Sequence, residues 1–334
     1  MTIVINYLVL TTSSLLMWYY SHRVKSNNMN LKEFVQESAA IKAGLWAGKT
    51  FSLPALRSLA KFGGKVLVLR QSSNLVRNIK ANQWVVSGET LNKEELQQQA
   101  LRVTTSQLTS LFEYFYYYQH PEEGLKQIRL TQEAERAFSD IRDGTSPTFI
   151  LGPHIGNFDF FMMALSWLKV PLYVLSYPNP NDAYKEQNKL REAVGLEIHP
   201  ISFSAIRGAK QALKDGKALA TGLDRPLDNP EDAKYKPIFF GRPAALPVFY
   251  ARLTLDNGAI ARVACGTRQE DGTFIIDSSE PIFMESRPDL VEENLLNVQK
   301  VLKPAEDFIR KYPSDWAMFY PVWPEVFPLI ENLL

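Results

Sequence analysis

Residues 147–176 read PTFILGPHIGNFDFFMMALSWLKVPLYVLS. The first apolar run is short and is closed by Gly152-Pro153, which is the pattern of a buried strand. The segment from Ile155 to Lys169 is longer and reads as a helix. Pro171 then precedes a second apolar run, LYVLS, of strand length. Downstream the alternation continues. DAYKEQNKLREAVG (182–195) reads as a helix ended by a glycine, LEIHPI (196–201) as a strand, SAIRGAKQALKDG (204–216) as a helix and KALATGL (217–223) as a strand. Repeated strand–helix units of this kind point to an α/β fold with a largely parallel central sheet flanked by helices.

Further on, residues 237–258 suggest a turn and another helix. AIARVACGTRQEDGTFIIDSSEPI (259–282) has the form of a hairpin with Asp271-Gly272 in its loop. DLVEENLLNVQKVLKPAEDFIRKY (289–312) is a long amphipathic helix leading into the aromatic, proline-rich WAMFYPVWP. Upstream, from about Leu31 to Asp143, apolar residues recur at helical spacing. Within this part, residues 55–82 set Arg57, Lys61, Lys65, Arg70, Arg77 and Lys80 among Leu, Val and Phe. Such a basic amphipathic stretch suits an anionic membrane surface, and equally an ordinary solvated helix face.

The N-terminus has a different character. No residue from Thr2 to Ser21 is charged, and the run ends in Trp18, Tyr19 and Tyr20 before His22, Arg23 and Lys25. That is near the length of a bilayer span, and the flanking charges would put its C-terminal side in the cytoplasm. Residues 1–27 are therefore expected to be a transmembrane or membrane-anchoring helix. A helix packed on the domain, or a start-site extension before Met29, are the alternatives. Residues 28–334 are expected to form one domain, helical to about 143 and α/β from about 144.

The bulk numbers narrow the function. Lys and Arg total 37 and Asp and Glu 36, giving a net charge of +1, so the basic excess of a nucleic-acid binder is missing. Cys265 is the only cysteine. An internal disulfide and a cysteine zinc cluster are thereby excluded. No Walker-type loop, dinucleotide fingerprint or Gly-x-Ser-x-Gly elbow is present. Chemistry concentrates in HIGNFD, where His154 follows the first strand and Asp159 lies five residues on. On a regular helix five steps turn about 140°, so the pair can meet only if His154 sits in the turn before the helix. There a carboxylate would hold the imidazole while its other nitrogen takes a proton from a hydroxyl.

HIGNFD between a strand and a helix resembles the catalytic block of the glycerolipid-type acyltransferases. The other blocks resemble the branch that contains lipid A late acyltransferases and phosphatidylinositol mannoside acyltransferases. They are VRNIKAN (76–82) before NKEELQQQ, KLREAVGLEIHPI (189–201), LATGLDRPLDN (219–229), and the Phe-Phe-Gly block with its helix and hairpin (237–274). The order and spacing hold from about Arg70 to Trp323.

The resemblance implies a membrane-associated O-acyltransferase moving a fatty acyl group from acyl-CoA or acyl-ACP to a hydroxyl of a glycolipid or lysophospholipid. It would need no metal or bound cofactor, and would work at the cytoplasmic side of the inner membrane. It makes His154 the general base, Asp159 the residue that orients it, and Asp224 an acidic residue near the histidine. It further implies that Gly156, Asn157, Arg191, Arg225, Phe240 and Gly241 meet the substrates, with backbone amides near Gly156 stabilising the oxyanion. Against these roles, Asp224 could be a turn residue, the arginines surface charges, and Phe239 and Phe240 core. Two departures from the family pattern, at Ala261-Arg262-Val263 and after Leu246-Pro247, bear on the acyl and acceptor pockets. A thioesterase or lipid hydrolase, and a non-catalytic lipid-binding protein, are the rival readings.

Overall fold

The computed structural model describes residues 31–69 and 73–334. The apolar run 2–21, with the anchoring role expected of it, lies outside them. Among the described residues no helix is long and apolar enough to cross a membrane. Two compact units are present. One holds the described residues up to Gly124 together with Pro180–Leu190 and Ala317–Leu334, and the other holds Leu125–Asn179 and Arg191–Trp316.

The first unit is built on helices α1 (Leu31–Thr50), α2 (Leu53–Leu69), α3 (Asn74–Val86) and α4 (Lys93–Gln119). A capping box starts α4, with Asn92 and Glu95 each satisfying the other's backbone N–H. Ala47, Leu56, Ala60 and Leu67 bury against Leu108 and Phe112 of α4. A second cluster gathers Val68, Leu75, Val76 and Ile79 with Ala100, Val103 and Phe319. The basic stretch 55–82 is therefore not one helix face. It is divided between α2 and α3, and Lys80 is 1% exposed. Burial, and then the nearby Lys93, push the Lys80 ammonium below its ordinary pKa.

After α5 (Pro121–Gln127), the second unit runs β1 (Ile128–Leu130), α6 (Gln132–Arg142), β2 (Thr148–Gly152), α7 (Phe158–Trp167) and β3 (Leu172–Ser176). The chain continues with α8 (Asp182–Ala193), which belongs to the first unit as far as Leu190 and to the second from Arg191, and then with β4 (Glu197–Pro200), α9 (Phe203–Lys214) and β5 (Ala218–Gly222) of the second. A small ribbon follows, β6 (Ile238–Phe239) with β7 (Arg242–Pro243), and then α10 (Phe249–Asp256), β8 (Ile260–Arg268), β9 (Phe274–Ser278) and α11 (Leu290–Lys311). The main sheet has the order β1-β9-β8-β2-β5-β3-β4. Every pairing in it is parallel except the β8–β9 hairpin. Every residue of β2 and β3 is buried, as expected of strands covered on both faces.

The α/β architecture agrees with the sequence reading. β1 does not, because it falls inside the stretch read as helical. Three residues are too few to show a period of two, and only the parallel partner β9 makes Ile128–Leu130 a strand. One alignment in the sheet positions the site. Gly152, the last residue of β2, stands opposite Gly222, the last of β5. Both strands run in the same direction, so their carboxyl ends open at one edge, where open α/β sheets bind ligands.

Candidate active site

His154 and Asp224 each lie two residues past those paired glycines. The parallel register carries them to the same place although 70 residues separate them. The Asp224 carboxylate accepts a hydrogen bond from His154 Nδ1 at 2.6 Å. Its two oxygens also accept the His154 backbone N–H, at 3.2 and 3.0 Å, and Oδ2 accepts the indole Nε1–H of Trp316 at 2.7 Å. Asp224 is fully buried. An ionised carboxylate in such a place is tolerable because three donors satisfy it. A carboxylate can only accept, so Nδ1 carries the imidazole proton and Nε2 presents its lone pair. The His154 side chain is 31% exposed, and Nε2 has no hydrogen-bond partner among the described residues.

The imidazole is also fixed by packing. Phe158 stacks on it with ring centroids 5.2 Å apart and planes 25° from parallel. On another side lies Gly222, where an added Cβ would stand 2.7 Å from His154 Cε1. Tyr250, on α10, is fully buried near Asp224. Burial, and then the Asp224 charge, push its phenol far above the ordinary value.

The turn between β2 and α7 is tightly tethered. Gly156 adopts φ +62°, and a Cβ there would collide with the Gly266 carbonyl, so the residue must be glycine. The amide of Ile155 donates to Pro153 O at 2.7 Å and that of Gly156 to Asp315 O at 2.8 Å. With His154 N–H bound to Asp224, the amides expected to stabilise an oxyanion around Gly156 are already engaged. Asn157 is 5% exposed and caps α7, its Oδ1 accepting Phe160 N–H at 3.0 Å.

Asp159 differs most from expectation. It does not hold His154. Its Oδ1 accepts from Arg191 Nε at 2.8 Å and from the Arg191 terminal nitrogen Nη2 at 2.6 Å. Helical geometry explains this. Asp159 lies in the first turn of α7, where a carboxylate suits the helix dipole, and Arg191 lies in the last turn of α8, where a cation does. Arg191, read as an anion-binding residue, is thus committed to a carboxylate of the protein.

Arg225 lies over the Tyr177 ring, its guanidinium carbon 3.9 Å from the centroid, and Tyr177 donates its hydroxyl to Asp228. Phe240 has φ +49° and Gly241 φ +77°. The Phe240 amide donates to Glu306 at 2.7 Å, and the Phe240 ring packs 6.2 Å from Trp316 and beneath Arg310. Phe240 therefore backs the tryptophan that holds Asp224, and Phe239 fills core. His199 stacks on Tyr173 at 3.9 Å, on the edge strand β4.

Trp316 and Gly222 escaped the sequence reading. Trp316 sat in a segment legible only as aromatic and proline-rich. Gly222 gave a usable signal only in hindsight, as a glycine ending an apolar strand just before an acidic residue.

Residues 31–325 match the family model described as bacterial lipid A biosynthesis acyltransferase. No individual curated protein matches the chain. A family match over most of the sequence, on a fold that joins the histidine and an acidic residue of two of the matched blocks, places this chain in the bacterial lipid A biosynthesis acyltransferase family, as an acyltransferase.

Proposed function

We propose that the chain transfers a fatty acyl group from an acyl-CoA or acyl-ACP thioester to a hydroxyl of a glycolipid or lysophospholipid, with His154 as general base. The observation that carries this is the His154–Asp224 pair, with a buried, triply bonded carboxylate on Nδ1 and an open lone pair on Nε2.

Nε2 takes the proton of the acceptor hydroxyl, and the oxygen attacks the thioester carbonyl carbon. The tetrahedral intermediate collapses with cleavage of the C–S bond, and the proton on Nε2 passes to the departing thiolate. Asp224 keeps the productive tautomer and stabilises the imidazolium. Asp159 is assigned to holding Arg191. Arg225, backed by Tyr177, is assigned to anionic groups of donor or acceptor, which a guanidinium fork suits. Phe240 and Gly241 remain candidates for shaping the acyl groove. The acceptor is a membrane lipid, so we place the reaction at the inner membrane, on the cytoplasmic side where the thioester donors are made.

The test is transfer from a radiolabelled acyl thioester into extracted membrane lipids by the wild type and by His154→Ala. A labelled lipid that vanishes with His154→Ala supports the reading, and its headgroup names the acceptor. Free fatty acid as the only product, with acceptor present, would make the protein a hydrolase. Equal labelling by both proteins would remove His154 from the chemistry.

A further inference from the structure

Between Glu37 and Glu89 the chain has no acidic residue but eight Lys and Arg, although the whole sequence is balanced at 37 basic and 36 acidic. Part of this charge is spent internally. Arg57 pairs with Glu113 at 2.7 Å, Arg77 lies over Phe327, and Lys80 is buried. Lys49, Lys61 and Lys65 are exposed, with no ion pair among the described residues.

The helices beside these lysines are inverted relative to an ordinary soluble pair. Several of their inward positions are small, Ala47, Gly48, Ala60, Gly63 and Gly64 standing among Leu56, Leu67 and Val68. A Cβ at Gly48 would collide with the Phe115 backbone, and one at Gly64 with Thr105, both on α4. Their outward positions are large and apolar, with Trp46 49%, Phe51 37%, Phe62 52% and Leu69 78% exposed. Trp46 and Phe51 pack edge to face at 5.6 Å across the turn from α1 to α2. Lys61, Phe62, Lys65 and Leu69 follow one another along a single face of α2, at steps of one, three and four residues. Scattered exposed apolar residues need no explanation, but here they come in pairs, Trp46 with Phe51 and Phe62 with Leu69 seven residues on along the same face. Aromatic rings interleaved with unpaired lysines are the composition of a surface that lies in an anionic lipid interface.

We propose that the face formed by the last turns of α1 and by α2 docks on an anionic lipid bilayer. The aromatic and leucine side chains enter the headgroup boundary, and Lys49, Lys61 and Lys65 meet lipid phosphates. This deepens the membrane part of the reading above without depending on His154. Its test reads binding rather than activity, so the two can fail separately.

The experiment uses the full chain. Cys265 is buried, so a Phe62→Cys variant can be labelled selectively with an environment-sensitive nitrobenzoxadiazole dye. Lys214→Cys, exposed at the end of α9, serves as the comparison. With phosphatidylcholine vesicles containing phosphatidylglycerol, the label at 62 is expected to shift to the blue and to be quenched by nitroxide lipids, while the label at 214 is not. Adding Lys61→Glu and Lys65→Glu should raise the lipid concentration for half the shift by roughly tenfold or more. No shift at 62, or an equal shift with phosphatidylcholine alone, would overturn the proposal. So would a shift without vesicles that grows with protein concentration, which would make the face a contact between copies of the chain.

Discussion

Trp316 donates its indole N–H to Asp224 Oδ2 at 2.7 Å, and both residues are buried. The tryptophan thus supports the carboxylate that supports the histidine. Trp316→Phe keeps most of the ring volume but leaves one buried carboxylate oxygen short of a donor. The expected loss of stability is about 1–3 kcal/mol, read by denaturant unfolding. The carboxylate that holds His154 is also less firmly placed, so kcat should fall with little change in KM. A purely structural role would lower stability and leave kcat of the folded protein in place.

Asp224→Asn should be far more damaging to turnover. An amide cannot accept from all three donors, and it frees the imidazole to take the wrong tautomer. A loss on the order of 10⁴-fold in kcat is expected by analogy with other histidine–aspartate pairs. Steady-state acyl transfer with folded protein, verified by circular dichroism, measures it. A loss below about tenfold would remove Asp224 from the orienting role.

Asp159 and Arg191 should behave as a unit. In a double-mutant cycle of Asp159→Ala and Arg191→Ala, the coupling in unfolding free energy should be about 0.5–3 kcal/mol. The side chains are 26% and 12% exposed, so solvent screening favours the lower part of that range. Additive effects would mean that the contact of the guanidinium with Asp159 Oδ1 contributes nothing.

Gly222→Ala tests how closely the imidazole is confined. The new methyl group, 2.7 Å from His154 Cε1, must displace the ring. Misplacement of a catalytic group by about 1 Å costs roughly a hundredfold in rate. The expected result is a fall in kcat of that order with little change in KM, measured against the wild type at saturating acceptor.

Two phenols give a prediction for alkaline pH. Burial, then Glu113, pushes Tyr117 up to about 12, and burial, then Asp224, pushes Tyr250 higher still. Both are raised above the unfolded value of about 10. The folded state therefore retains protons that the unfolded state releases. Their contribution to stability is complete below about pH 10 and is lost as pH rises beyond it. Absorbance titration of the native protein should show fewer than the 14 tyrosines of the sequence ionising, with the remainder appearing together with unfolding. Ionisation of all 14 before any loss of circular dichroism would contradict it.

Local rules made much of this protein legible from its sequence. The apolar run closed by Gly152-Pro153 marked β2 and the one after Pro171 marked β3, the periodic stretches marked the helices, and Asp271-Gly272 marked the hairpin, because each depends on residues a few positions apart. The same rules placed His154 in the turn ahead of α7, and the ordered blocks placed the chain in its family. Which carboxylate serves that histidine was a matter of tertiary structure. Asp159 is near in sequence but turns with its helix toward Arg191, while Asp224 arrives through the parallel register of β2 and β5. Trp316 completes the arrangement from beyond α11. Sequence spacing carries information along one helix or strand, but the partners of a group at a strand end are set by which strand lies beside it, and pairing between distant strands leaves no periodic trace in either.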